Sequence, residues 1–203
     1  MTVPTRQIRA LHDDETITVY QAYRPEIGDA AAALGRFPNW YRRDRMTWIK
    51  PSFLWMMYRC GWAMKEGQER VLAVRLRRAG FDSAVRQAVP SHHDRDGYPD
   101  QASWQRALKR SPVRVQWDPE RDLHLRPLAH RAIQIGLSGS AVDGYVDEWT
   151  LGITDVTALA REIHALVTAH DLDGARRLLP DEQPYDLGPA FCRRGATPVD
   201  LKS

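Results

Sequence analysis

The chain has 203 residues, a net charge of +3 and 43% hydrophobic residues, the proportions of one globular domain with its own core. No stretch nears the roughly 18 apolar residues of a membrane span, and the N-terminal MTVPTRQIRALHDDE lacks the apolar segment of a secretory signal. Two cysteines, Cys60 and Cys192, form no disulfide framework, so a reducing, cytoplasmic setting is expected.

Arg6 to Leu11 and Thr16 to Ala22 read as two strands joined through the turn formers His12 to Glu15, a hairpin. A helix over Glu26 to Leu34 follows, opened by Pro25 and closed by Gly35. Arg36 to Arg45, RFPNWYRRDR, is a basic, aromatic loop. Pro51 sits in the first turn of a helix over Ser52 to Trp62 that is apolar on nearly every face, hence buried, and Gly67 ends the element. Arg70 to Arg78 alternates as a strand. Phe81 to Ala88 and Gln101 to Lys109 read as short helices around a polar loop.

Val113 to Trp117 is a short strand broken by Asp118, Pro119 and Glu120, and Arg131 to Leu137 is another strand. Ser140 to Tyr145 reads as a short helix and Trp149 to Ile153 as a strand. Asp155 caps an amphipathic helix reaching His170, with Val156, Leu159, Ile163, Leu166 and Val167 as its stripe. A last helix covers Leu172 to Leu179. These elements alternate without a βαβ rhythm. The expected fold is therefore one compact α+β domain over residues 1–180, a mixed or mainly antiparallel sheet with helices packed on it. A loosely ordered C-terminal tail is expected over 181–203.

The sequence holds no glycine-rich phosphate loop, no G-x-S-x-G elbow and no H-E-x-x-H. His92 and His93 lie in a turn-rich loop, and no metal set is read from them. Arg45, Lys50 and Ser52 precede a helix start, where cations, a hydroxyl and free backbone N–H groups suit a phosphate. The same cations could instead snorkel from a buried segment and pair with surface acids. Arg36, Trp40, Tyr41, Arg42 and Arg43 interleave aromatics with arginines, a pattern that stacks on bases and grips phosphates.

In the strand Tyr20-Gln21-Ala22-Tyr23, a buried Gln21 needs polar partners. Asp118, Glu120 and Asp122 read first as a turn, with Arg121 as internal partner, and second as acid–base or metal-binding groups. Gln134 shares a strand face with small residues, an arrangement that admits a ligand close to backbone. Glu69 stands at the mouth of a strand, in an ordinary helix-to-strand loop or at a catalytic position.

The blocks RQIRA, TVYQAY, RMTWIKPSFLWMMYRCGW, QERVLAV, VQWDPERD and RAIQIGL, in that order, resemble the family catalogued as domain of unknown function 4291. The resemblance runs from about Arg6 to Ile153. It implies emphasis on polar signature positions that a core does not require: Arg9, Tyr20, Gln21, Arg45, Lys50, Glu69, Asp118, Arg121 and Gln134. Such residues suggest a shared site, or a buried network that specifies the fold.

Two functional expectations follow. One is an enzyme acting on a nucleotide or nucleic acid, by group transfer in the manner of an ADP-ribosyltransferase using NAD. Arg9, Arg45 and Lys50 would hold phosphates, Tyr20 or Tyr23 would stack on a ring, and Glu69 would activate the acceptor. The other is a non-catalytic module binding RNA or DNA through Arg36 to Arg45.

Overall fold

The structure, a computed structural model, describes residues 3–95 and 97–187. Its architecture is α+β, with mostly antiparallel strands and helices packed on them. Strand β2 (Thr16–Tyr23) pairs with β4 (Arg70–Arg77), and β4 pairs with β8 (Thr150–Asp155), all antiparallel. A second sheet runs β3 (Thr47–Ile49), β7 (Pro127–Leu137), β6 (Val113–Arg121) and β5 (Val89–Pro90), parallel only between β5 and β6. Strand β1 (Arg9–Ala10) pairs with β9 (Gln183–Pro184). The helices are α1 (Pro25–Leu34), α2 (Phe53–Cys60), α3 (Arg78–Arg86), α4 (Gln101–Arg110), α5 (Ser140–Asp143), α6 (Thr157–Thr168) and α7 (Leu172–Leu178). A π-helical turn, Gly144–Trp149, follows α5. Among the described residues no helix is long and apolar enough to cross a membrane.

Alternation sets the core. Ile17 and Val19 of β2 face one way with Leu72, Val74 and Leu76 of β4, against Phe81, Ala84 and Val85 of α3. Tyr20 and Val71 look the other way, toward Phe53, Met56, Met57 and Cys60 of α2 and toward Ala160 and Ile163 of α6. Each large apolar side chain so buried contributes about 1.5–3 kcal/mol. Helix α2 is buried at Phe53, Trp55, Met56, Met57 and Cys60, while Tyr58 and Arg59 leave one face exposed. Gly61 closes it in the left-handed conformation at φ 57°, a residue earlier than Trp62, and Gly67 lies in the following loop.

Several local expectations are corrected. The expected strand over Arg6 to Leu11 shortens to Arg9–Ala10, which pairs with Gln183–Pro184, and the hairpin closes only next to its turn, where His12 bridges Ile17 and the Leu11 carbonyl accepts the Thr18 N–H at 2.9 Å. The turn survives, because Asp13 accepts the Glu15 and Thr16 N–H groups at 2.9 and 2.6 Å. Pro51 lies outside α2, and Ser52 is the cap, accepting the Trp55 N–H at 3.1 Å. Asp118 to Arg121 is not a turn: β6 continues through it, with a bulge between Pro119 and Arg121. Helix α6 starts two residues after Asp155, whose carboxylate accepts the Thr157 N–H at 2.7 Å. The tail does not loosen at 180, since Tyr185 and Leu187 are buried in the main core and Tyr185 donates its N–H to the Ile8 carbonyl. Residues 188–203, Cys192 among them, lie outside the described residues.

Candidate functional site

The two main sheets share one core and are joined by a backbone bridge. Lys50, directly after β3, forms an antiparallel bridge with Tyr20 of β2: the Tyr20 N–H donates to the Lys50 carbonyl at 2.7 Å and the reverse bond is 3.2 Å. Beside this junction lies a cavity of about 640 Å³. Gln21 and Tyr23 of β2, Thr47 and Trp48 of β3, Met56 and Arg59 of α2, and Trp40, Tyr41, Arg42 and Arg45 of the basic loop line it, with Arg24, Lys50 and Gln68.

The charge around this space has one sign. Arg24, Arg42, Arg45, Lys50 and Arg59 line it, and among the described residues no carboxylate does. Arg24 and Arg42 are neutralised outward, by Glu26 at 2.8 Å and Asp44 at 2.6 Å. Arg45, Lys50 and Arg59 form no salt bridge among the described residues. Lys50 is the buried member, 7% exposed. Its Nζ donates to the Trp48 carbonyl at 3.1 Å. Burial first, and repulsion from Arg59 second, push its pKa down to about 8, against a smaller opposing pull from Asp118.

The polar wall is tied together. Gln21 Nε2 donates to the Trp48 carbonyl at 3.2 Å, and its Oε1 accepts the Tyr145 hydroxyl at 2.6 Å. Both ends of the buried amide are therefore engaged, which holds the cavity wall to the core rather than leaving a group to react. The hydroxyls of Tyr23, Tyr41 and Thr47 form a chain with steps of 2.8 and 2.9 Å. Burial raises the Tyr23 hydroxyl well above the usual tyrosine range.

Two neighbouring groups sit on β6. Asp118 accepts from Gln116 at 3.0 Å and from Gln134 of β7 at 2.7 Å. Gln134 thus holds the carboxylate that acts on Lys50, and the small neighbour Gly136 receives the Trp48 ring and the Met46 sulfur instead of a ligand. Further along, Ser52 Oγ donates to Glu120 Oε1 at 2.9 Å. Glu182 Oε1 accepts the Phe53 N–H at 2.6 Å. The α2 N-terminus is thereby filled by the chain's own hydroxyl and carboxylate, so it presents no open phosphate seat. Burial, with the nearby Glu120 adding to it, pushes the Glu182 carboxyl up to about 8.

Of the residues expected from sequence, Gln21, Trp40, Tyr41, Arg42, Arg45 and Lys50 converge on the cavity, with Asp118 and Gln134 behind Lys50. The others do not. Tyr20 points into the core against Phe53. Arg9 donates to the Glu182 carbonyl at 2.8 Å. Arg121 lies over the Tyr58 ring, 3.6 Å from its centroid. Ser52 caps α2. Arg36 bonds Asn39, and Arg43 bonds Asp143 and Asp147. Glu69 accepts the Gly67 N–H at 2.9 Å with one oxygen, while the other is buried without a partner. It stands beside the cavity wall, not in it.

The residues missed from sequence are Arg24, Arg59, Tyr145 and Glu182. Arg59 was the accessible one, three positions after Met56 and so on the same helix face. Nothing local could have brought Tyr145 to Gln21 or Glu182 to Phe53.

The family model described as a domain of unknown function (DUF4291) matches residues 7–185. The chain belongs to the DUF4291 family. The DUF4291 match reaches past Ile153 to take in α6, α7 and β9, which agrees with the packing of Tyr185 into the core. No curated protein matches the chain.

Proposed function

We propose that the cavity at the sheet junction binds a nucleotide or related phosphorylated ligand, and that the protein is an enzyme of nucleotide or nucleic-acid group transfer, with NAD as a donor that fits. One observation carries this reading: among the described residues, five cations and no carboxylate line an aromatic-walled space. Arg45 and Arg59 offer planar, bidentate donors to phosphate oxygens, and Lys50 offers a point charge at the floor. Trp40, Tyr41 and Trp48 supply apolar ring surface of the kind that accepts a base. Glu69, one residue beyond Gln68 of the wall, is the candidate acceptor-activating group, its second oxygen having no competing partner.

A thermal-shift series tests this. NAD, ATP and GTP are compared with adenosine, since a ligand of the folded state raises Tm by mass action. The expected result is a rise with phosphorylated ligands only, lost in Lys50→Ala and reduced in Arg45→Gln. No rise with any of the three nucleotides, or an equal rise with adenosine, contradicts the phosphate reading. Turnover of an identified substrate by Glu69→Gln at the wild-type rate would remove the catalytic assignment of Glu69.

A second reading, an RNA- or DNA-binding module, is favoured by Trp40, 57% exposed at the rim of the cavity. It is weakened by the internal pairing of Arg42 and Arg43. It requires a rise with oligonucleotides alone that vanishes at high salt.

A further inference from the structure

The basic residues of this chain are overwhelmingly arginine: only Lys50, Lys65, Lys109 and Lys202 are lysines among 29 basic residues. The cavity follows the same usage, its other cations being Arg24, Arg42, Arg45 and Arg59. Those four are exposed, whereas Lys50 is buried. For gripping phosphate the guanidinium is the better group, planar, bidentate and permanently charged. What arginine cannot do is give up its proton and attack carbon, which an amine can.

The placement of Lys50 suits that second task. The bridge to Tyr20 fixes its backbone to both sheets. Its amine reaches the cavity with one hydrogen bond, to the Trp48 carbonyl, which leaves two of three donors for a ligand. A lysine desolvated and set beside another cation is the arrangement that yields a neutral amine. At a pKa of about 8, about a tenth of it is neutral at pH 7. The arginines can then hold phosphates while a terminal ribose, its C1 carrying a hydroxyl rather than a base, lies against the amine.

Resting on the phosphate-site reading, we infer that Lys50 is the covalent nucleophile of the cavity, and that its amine condenses with the C1 aldehyde of the open-chain ribose in a nucleotide-linked ribosyl ligand. The nitrogen lone pair forms a C–N bond at C1 while the carbonyl π pair moves to oxygen. A proton passes from nitrogen to that oxygen, giving the carbinolamine. The nitrogen gives up its second proton to that hydroxyl, which leaves as water with the C–O electron pair while the nitrogen electrons form the C=N bond. No electrons are gained or lost. The hydroxyl pair of Tyr41 and Thr47, 2.9 Å apart in the same wall, provides groups through which protons can pass.

The test is incubation of the full chain with ADP-ribose and sodium cyanoborohydride, which reduces the imine to a stable amine. Peptide mass mapping then follows all the lysines, with a thermal shift by ADP-ribose alone run in parallel. The expected adduct lies at Lys50, about tenfold above exposed Lys65 and Lys109. Its rate rises with pH from about 8 upward, and it is absent from Lys50→Arg. Should Lys50→Arg fail to fold, the wild-type map decides alone. Labelling of the exposed lysines with Lys50 untouched, while ADP-ribose raises Tm, overturns the covalent role and leaves the binding reading standing. Neither adduct nor Tm rise overturns both. An adduct at Lys50 that unphosphorylated ribose forms equally fast overturns the assigned ligand class.

Discussion

Replacing Lys50 by methionine separates stability from function. At neutral pH the folded state holds a buried cation whose pKa falls from 10.5 to about 8, which costs it about 3 kcal/mol at about 1.4 kcal/mol per pKa unit. Methionine fills similar space without charge, and Met46 and Met56 already line the cavity. Loss of the hydrogen bond to the Trp48 carbonyl takes back about 1 kcal/mol. Lys50→Met is therefore expected to be more stable by about 2 kcal/mol, or about 4–8 °C in Tm for a chain of this size.

The pH dependence carries the stricter test. The folded state releases the Lys50 proton near pH 8 and the unfolded chain near 10.5. Between those values the unfolded state binds more protons, so wild-type stability rises with pH. The advantage of methionine is full below about pH 8 and fades toward 10.5. Urea melts of both proteins across this window measure it. A methionine variant less stable at neutral pH, or an advantage that does not change with pH, would refute the picture of a desolvated cation.

Three further outcomes are expected. Gln21→Leu strands the buried Tyr145 hydroxyl and lowers stability by about 1–3 kcal/mol in denaturant melts. Adding Tyr145→Phe should restore part of that loss, since both partners are then apolar. Glu182→Gln keeps an oxygen for the Phe53 N–H but removes a carboxyl raised from 4.5 to about 8. The wild-type acid loses stability as pH rises through that interval, so the variant is expected to match wild type at its acid end and to be more stable, by on the order of 2 kcal/mol, above it. Trp40→Ala should leave stability within about 0.5 kcal/mol, because the ring is exposed. It should weaken nucleotide binding by about 1–3 kcal/mol if the ring stacks on a base, while pyrophosphate binding in the same calorimeter stays unchanged.

Local chemistry made much of the fold legible. Gly35 in the left-handed conformation ends α1 where the sequence places it, and the alternation of Val71 to Leu76 gives β4. What failed were places where long-range pairing overrides local preference. Asp118-Pro119-Glu120 has turn chemistry, yet β7 pairs along it, with Pro119 opposite Arg131 and the irregularity following at Glu120. Gln183–Pro184 looks like tail, yet β1 needs a partner and takes it.

The site followed the same division. Arg45 and Lys50 were recognisable as cations before a helix, and both line the cavity. The helix start that the sequence offers to a phosphate is filled by Glu182, 129 residues away from Phe53 in the chain. Gln21 stood out as a polar residue in a core strand, but its partner Tyr145 lies 124 residues on. No periodicity or motif connects such pairs, so only the folded topology reveals which polar residues are structural and which face the cavity.

A phosphorylated ligand bound in the cavity is expected to meet Lys50. Calorimetric titration of NAD at pH 8, in two buffers of different ionisation enthalpy, tests it most directly. NAD phosphates beside the amine would stabilise its charged form and raise its pKa, so binding should take up protons. A buffer-dependent heat corresponding to net proton uptake is expected at pH 8, fading near pH 6 and absent in Lys50→Met. Heats that are the same in both buffers, or uptake that persists in Lys50→Met, would contradict it.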